Sequence, residues 1–116
     1  MTDPWPRYVI NLADNTTRLA QVSDGFARVG LTFERIEGVN GWHLTQDEIA
    51  AAYDAAANRR RFKQDLVPAE IGCYLSHISA WRAIVASGAP GGFVFEDALS
   101  ITDALPTVLR ALSQDA

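Results

Sequence analysis

Two acidic residues, Glu96 and Asp97, directly follow the short apolar run Phe93–Phe95. The run comes after a glycine-rich turn and predicts a buried strand, central and parallel in an α/β sheet. Open α/β sheets bind ligands beyond the carboxyl ends of their strands, so the two carboxylates could hold a hard cation against a phosphorylated ligand. Alternatively, one acid caps the next segment and the other is solvated.

A second group of chemically capable residues, Glu70, Cys73 and His77, is spaced three and four residues apart. On a helix this spacing places them on one side of adjacent turns. Cys73 and His77 could bind a metal ion together with Glu70, although a fourth ligand is not evident. The alternatives are that Cys73 is a small buried residue and that His77 is a hydrogen-bonded structural group.

The residues around this group predict a helix that begins at Pro68 and stops at Gly88. Its apolar residues follow the periodicity of a buried helical face: Ile71, Tyr74, Leu75, Ile78, Trp81 and Val85. Gly72 interrupts the helix at a cost of about 1 kcal/mol relative to alanine. This glycine indicates either that another backbone or a ligand comes close, or that the helix packs tightly against the sheet.

The rest of the chain predicts alternating strands and helices. Strands are expected at Tyr8–Leu12 and Phe33–Val39, and helices at 16–29, after the Thr45–Glu48 capping box, and around Leu105–Leu112. This order predicts an α/β domain with a small, mainly parallel sheet flanked by helices.

Two basic features suggest anionic partners. Arg18 lies in the first turn of a helix, where a cation opposes the helix dipole, so we expect an anion nearby or else a solvated arginine. The basic cluster 59–63 could meet an anionic lipid head group at a membrane surface or a sugar phosphate, or form a solvated surface.

Length and composition limit the classes of protein that need consideration. The 116 residues predict one domain, 1–116, with residues 1–6 as a loose lead-in. A net charge of −4 argues against general nucleic-acid binding, which depends on a basic surface. A single cysteine excludes an internal disulfide and favours a reducing compartment. Because the sequence shows neither a signal peptide nor a transmembrane run, we expect a cytoplasmic protein.

Four segments of the chain together resemble a known family. They are YVINLADNTTRLA (8–20), FERIEGVNG (33–41), AEIGCYLSHISAWRAIV (69–85) and FVFEDAL (93–99). The third is close to the family's most distinctive helix, E-I-G-C-x-x-S-H, and the fourth lies where the family has an apolar strand closing in E-D-D. The chain is thereby similar to glycosyltransferase family 25, the lipopolysaccharide-type galactosyltransferases that also include collagen galactosyltransferases.

The resemblance implies an incomplete GT-A- or Rossmann-like fold and a hexosyltransferase, typically one that moves galactose from UDP-galactose to a saccharide acceptor in lipopolysaccharide or other glycan biosynthesis. Mn²⁺ and the diphosphate would be held by Glu96 and Asp97. The residues implied to bind or support the donor are Asn11, Arg18, Glu70, Ser76 and His77.

The sequence departs from the family pattern in two ways. Ala98 replaces the third acid of E-D-D, which removes one expected metal or phosphate contact. The chain also stops soon after this strand, so the general base and much of the acceptor site are expected beyond it, and the catalytic residues stay unassigned. A shortened, non-catalytic binding module that forms a homodimer through an uncovered sheet edge is the alternative.

Overall fold

The computed structural model describes residues 5–52 and 67–114. In chain order the elements are β1 (Arg7–Asn11), α1 (Thr16–Arg28), β2 (Glu34–Glu37), a 3₁₀ turn (Gly41–His43), α2 (Gln46–Ala52), α3 (Pro68–Ser87), β3 (Phe93–Glu96) and α4 (Leu105–Gln114). The predicted order of strands and helices is confirmed. The basic cluster 59–63 and most of the lead-in lie outside the described residues.

The three described strands form a parallel sheet in the order β2-β1-β3. Tyr8 of β1 pairs with Glu34 of β2 on one side and with Val94 of β3 on the other. The predicted small parallel α/β sheet is therefore confirmed, whereas β3, predicted to be central, is an edge strand among the three described strands. An apolar run shows that a strand is partly buried, but β1 has the more completely buried residues and takes the centre.

Alternating residues of β1 supply the core on both faces of the sheet. Val9 is buried against Val22 and Phe26 of α1. Tyr8 lies on the opposite face, where its hydroxyl donates to the carbonyl of Ala83 in α3 at 3.3 Å. The sheet is thus a layer between α1 and α3, with α3 covering the second face.

Helix α3 has the predicted ends but only part of the predicted buried face. Pro68 occupies the first turn and Gly88 ends the helix with a φ of +75°. Of the residues expected in the buried stripe, Ile71 is buried and Leu75 and Ile78 are half-buried. Trp81 and Val85 are instead 56% and 81% exposed, and Tyr74 is also exposed. Across the described residues, no helix is long and apolar enough to cross a membrane.

The anomalous glycine of α3 marks a close approach of two backbones. A Cβ atom on Gly72 would lie 2.6 Å from the backbone nitrogen of Gly41 and would overlap the carbonyl oxygen of Val39. A Cβ on Gly41 would in turn overlap the carbonyl of Pro68. The segment after β2 therefore lies directly on α3, and the expectation of a nearby backbone at Gly72 is confirmed.

Candidate functional site

A cleft of about 230 Å³ opens beyond the carboxyl ends of β1 and β3. Its polar lining residues come from the N-terminus of α1, from α3 and from the end of β3: Asn15, Arg18, Cys73, Ser76, Glu96 and Asp97. The cleft is where parallel α/β sheets bind ligands. The two carboxylates lie at the carboxyl edge of the sheet, as expected, and they share the cleft with residues of α3, the helix that carries His77.

Asp97 is held in place by residues of β1 and α1. The Asn11 amide donates from Nδ2 to Asp97 Oδ2 at 2.7 Å. Arg18 Nη1 lies 3.5 Å from Asp97 Oδ1. The Asp97 side chain is only 12% exposed, whereas that of Arg18 is 53% exposed, so the guanidinium retains access to solvent and to a ligand.

The Asn11 side chain, 1% exposed, has one allowed orientation. Its Oδ1 accepts from Arg35 Nε at 3.0 Å, and its Nδ2 donates to the Asn15 carbonyl at 3.1 Å as well as to Asp97. Arginine can only donate, and a carbonyl or carboxylate can only accept, so reversing the amide would break all three contacts. Asn11 therefore acts as a fixed support behind Asp97.

The two adjacent acids have different partners. Glu96 Oε1 lies 3.4 Å from His77 Nε2 and 3.5 Å from Cys73 Sγ, both on α3. Asp97 instead meets Arg18 of α1. Successive side chains of a strand point to opposite faces of the sheet, and α1 and α3 cover opposite faces. The Glu96–Asp97 pair is thus divided between the two helices.

Cys73 is exposed, so the expectation of a small buried residue is wrong. Its sulfur nevertheless faces Glu96 across the cleft wall. Partial burial, a hydrogen bond to Glu96 and the negative charge of that carboxylate all raise the pKa of the Cys73 thiol.

The remaining residues singled out from the sequence have structural contacts. Glu70 lies at the start of α3, where its Oε1 accepts from the Val67 backbone nitrogen at 3.0 Å, so it does not join Cys73 and His77 as expected. Ser76 lines the cleft, but its hydroxyl accepts from the backbone nitrogen of Val39 and donates to the carbonyl of Gly72, both at 2.8 Å.

Two contributors to the site were not identified from the sequence. Asn15 lines the cleft and caps α1 by accepting from the Arg18 backbone nitrogen at 3.1 Å. Its position in a turn before a helix was an available signal, because asparagine is a preferred N-cap. Arg35 binds both the side chain and the carbonyl of Asn11, a contact that depends on strand pairing and has no local sequence signal.

A second cleft of about 300 Å³ adjoins the first, and the two share Leu12, Gly38 and Val39. Its polar lining residues are Asp14, Glu37, Asn40, His43 and Glu48. Glu48 also completes the capping box of α2 with Thr45, and hydrogen bonds from the Thr45 backbone and hydroxyl lower the pKa of Glu48. The carboxyl edge of the sheet therefore carries two contiguous polar depressions.

A parallel sheet between helices, with a polar cleft at its carboxyl edge, places the chain among Rossmann-like α/β proteins. The model of glycosyltransferase family 25 (LPS biosynthesis protein) matches residues 5–116, and the chain belongs to this family. No solved structure matches it significantly.

Several animal proteins are similar to the chain. A probable inactive glycosyltransferase 25 family member 3 from Rattus norvegicus is 28% identical over 93% of the chain and 19% of its own length. A glycosyltransferase 25 family member from Aedes aegypti is 30% identical over 78% of the chain and 15% of its own length. The inactive family member 3 from Homo sapiens is 26% identical. The chain thus spans about a fifth or less of these relatives.

Proposed function

We propose that this chain binds a nucleotide sugar, a UDP-hexose with galactose as the expected sugar, and supplies the donor site of a hexosyltransferase that acts on a saccharide acceptor in lipopolysaccharide or other glycan biosynthesis. The observation that carries the proposal is an exposed Arg18 guanidinium beside a fixed carboxylate, Asp97, in a cleft at the carboxyl edge of a parallel sheet. A cytoplasmic location, where nucleotide sugars are available, forms part of the proposal.

Arg18 is suited to the diphosphate of such a donor. Its guanidinium is permanently charged, and it can donate two parallel hydrogen bonds to a phosphate. It is more than half exposed, and its distance of 3.5 Å from Asp97 is long for a hydrogen bond, so its donors can reach a ligand. Asn11 would act indirectly, by fixing Asp97.

The two clefts have a combined size suited to a substrate. Ligand pockets commonly enclose about 300–1,000 Å³, and the first cleft alone, at about 230 Å³, is smaller than that. Because the second cleft shares three residues with the first, the depressions can accept different parts of one ligand. We assign the diphosphate to the first cleft, with Ser76 shaping its wall and Glu70 and His77 supporting the helix behind it.

Mn²⁺ fits the acidic side of the first cleft as part of this proposal. Glu96 and Asp97 both line it, and carboxylate oxygens are ligands that Mn²⁺ prefers. Ala98 lines the same cleft without a ligand atom, so phosphate oxygens and water would supply the other positions. When bound, such an ion would stabilise the charge that develops on the departing nucleotide.

Calorimetric titration with UDP-galactose, with and without Mn²⁺, tests the proposal. We expect binding that Mn²⁺ strengthens, and we expect Arg18→Gln to weaken it by roughly 10- to 100-fold, because a hydrogen bond to a charged group contributes about 1.5–3 kcal/mol. Arg82→Gln, at an exposed arginine of α3 away from the cleft, is the matched control. Failure to bind in either condition would overturn the proposal.

A non-catalytic binding module is the second candidate, because the relative from Rattus norvegicus is named probable inactive and the one from Homo sapiens inactive. Donor binding without hydrolysis or transfer of the sugar would favour it. The sheet edges at β2 and β3 offer a route to a homodimer in that case, which light scattering would detect as a doubled mass.

A further inference from the structure

Three residues with different ligand atoms come together beside the first cleft. Among the described residues, Cys73, His77 and Glu96 each offer one ligand atom, and these atoms all lie within 4.8 Å of one another. We propose that they form a binding site for a thiophilic divalent ion of the Zn²⁺ class, with three protein ligands and a fourth position open to the cleft. This site shares only Glu96 with the oxygen-ligand pair proposed for Mn²⁺, and its existence does not depend on nucleotide-sugar binding.

The fold brings the three ligands together from two elements. Cys73 and His77 are one turn apart on α3, so their side chains leave the same side of the helix. Glu96 ends β3 on the face that α3 covers. Glu70, the carboxylate nearest in sequence, is held by Val67 at the helix start. The third ligand is therefore supplied by the strand.

Two of the distances between the ligand atoms, those that involve Glu96, match the edges of a tetrahedron around zinc. Typical bond lengths are about 2.3 Å to sulfur and about 2.0–2.1 Å to nitrogen or oxygen. At a tetrahedral angle these lengths separate nitrogen from oxygen by about 3.4 Å and sulfur from oxygen by about 3.6 Å. The structure has 3.4 Å between His77 and Glu96, and 3.5 Å between Cys73 and Glu96. The first of these distances is long for a hydrogen bond.

The donor set also selects the type of ion. Thiolate and imidazole favour Zn²⁺ and related ions, whereas Mn²⁺ and Mg²⁺ favour oxygen ligands. Three protein ligands leave one position free, as in zinc sites that bind water or substrate. Cys73 and Glu96 both line the cleft, so that position faces a space a ligand can enter.

Glu96 would be a ligand in both of the proposed metal sites. Glu96 belongs to this group and also to the pair proposed for Mn²⁺, while Asp97 belongs only to the pair. Zn²⁺ held by α3 would withdraw Glu96 from the other ion. We therefore expect the two ions to compete, with Zn²⁺ weakening Mn²⁺ binding.

Titration of the full chain with Co²⁺ and Zn²⁺ tests the inference without any nucleotide. Co²⁺ bound to a thiolate produces a charge-transfer absorption band, which Zn²⁺ then removes by displacement. The chain has one cysteine and two histidines, so the band reports Cys73 alone, and His43→Gln is the matched control for His77→Gln. Glu70→Gln, which keeps a capping side chain, is the control for Glu96→Gln.

We expect Cys73→Ser to abolish the band. Cys73→Ser, His77→Gln and Glu96→Gln should each weaken Zn²⁺ binding by at least about 100-fold, because loss of an outer-sphere partner alone costs roughly 10- to 100-fold. Both controls should bind as the parent does. Unchanged Zn²⁺ affinity in the Cys73 and His77 variants, or sensitivity to Glu70→Gln in place of Glu96→Gln, would overturn the assignment.

A further variant distinguishes the proposed zinc site from the proposed donor site. Asp97→Asn should weaken Mn²⁺ and leave Zn²⁺ affinity unchanged. Loss of Zn²⁺ binding in Asp97→Asn would contradict the three-ligand site. Failure of UDP-galactose to bind, with Zn²⁺ binding intact, would contradict only the donor site.

Discussion

Replacing Asn11 by aspartate tests whether this side chain positions Asp97. The substitution keeps the size of the side chain and its acceptor toward Arg35, but it replaces both amide donors by an acceptor. The carboxylate of Asp97 and the carbonyl of Asn15 then each lose a partner, now at 2.7 Å and 3.1 Å. A lost hydrogen bond costs about 0.5–1.5 kcal/mol between neutral groups and about 1.5–3 kcal/mol to a charged group, and two like charges in contact add to that loss.

We therefore expect Asn11→Asp to lower the free energy of unfolding at pH 7 by about 2–4 kcal/mol, from the loss of one hydrogen bond to a charged group and one between neutral groups, because Arg35 stays beside the new charge and compensates it. The loss should depend on pH. Burial and repulsion by Asp97, opposed only in part by the Arg35 guanidinium, should raise the pKa of the introduced carboxyl above its ordinary value of about 3.9. The folded variant therefore binds this proton more tightly than the unfolded chain does, so its deficit is smallest near pH 4 and grows as pH rises through the raised pKa.

Urea denaturation followed by circular dichroism at pH 5 and pH 7 measures both effects. Asn11→Ala is the uncharged control and should show no added loss between the two pH values. The exchange Asn11→Asp with Asp97→Asn restores an amide opposite a carboxylate and should recover part of the stability. An equal deficit for Asn11→Asp at both pH values, or none at pH 7, would refute the positioning argument.

Three further substitutions test separate features. Gly72→Ala should lower the free energy of unfolding by about 1–3 kcal/mol in thermal or urea melts, because a Cβ meets backbone atoms that cannot move aside. A free energy of unfolding raised by about 1 kcal/mol, as helix propensity alone would give, would contradict that contact. Ala98→Asp should tighten Mn²⁺ binding in calorimetry, since position 98 lines the cleft, and unchanged affinity would argue against a metal pair there. Because the pKa of the Cys73 thiol is raised, its alkylation by iodoacetamide should be slow at pH 7–8 and accelerate only at higher pH. Glu96→Gln should shift this profile of rate against pH to lower pH, and an unshifted profile would show that Glu96 does not act on the thiol.

The start of α2 and the end of α3 could be predicted because their signals are local, whereas β2, predicted at Phe33–Val39, spans only Glu34–Glu37. Thr45 and Glu48 form the expected capping box, with reciprocal hydrogen bonds of 3.0 and 3.1 Å. Gly88 adopts the left-handed conformation that ends α3. Each signal depends on residues within four positions of one another, so no tertiary information was needed.

The buried face of α3 could not be predicted by the same means. The helix is apolar around most of its circumference, so its periodicity is compatible with more than one buried face. The structure selects the side that carries Gly72, Ser76 and Ala80, all of which are buried. Small residues allow the backbone of 39–41 to approach, and Trp81 on another side is left exposed. A prediction based on the spacing of large apolar residues therefore misses this face, because small residues that allow close packing define it.

The candidate site shows the same division between local and tertiary information. That Glu96 and Asp97 lie at the carboxyl edge of the sheet follows from their position after β3, and their opposite directions follow from strand alternation. Which helix each one meets depends on the faces that α1 and α3 occupy, and that is a property of the whole fold. A pair of adjacent acids at the end of a buried strand therefore need not be one site: here Asp97 joins Asn11 and Arg18, while Glu96 joins Cys73 and His77. Substitutions of Arg18 and of Cys73 therefore test the two groups separately, although the proposed Mn²⁺ ion would link them through Glu96.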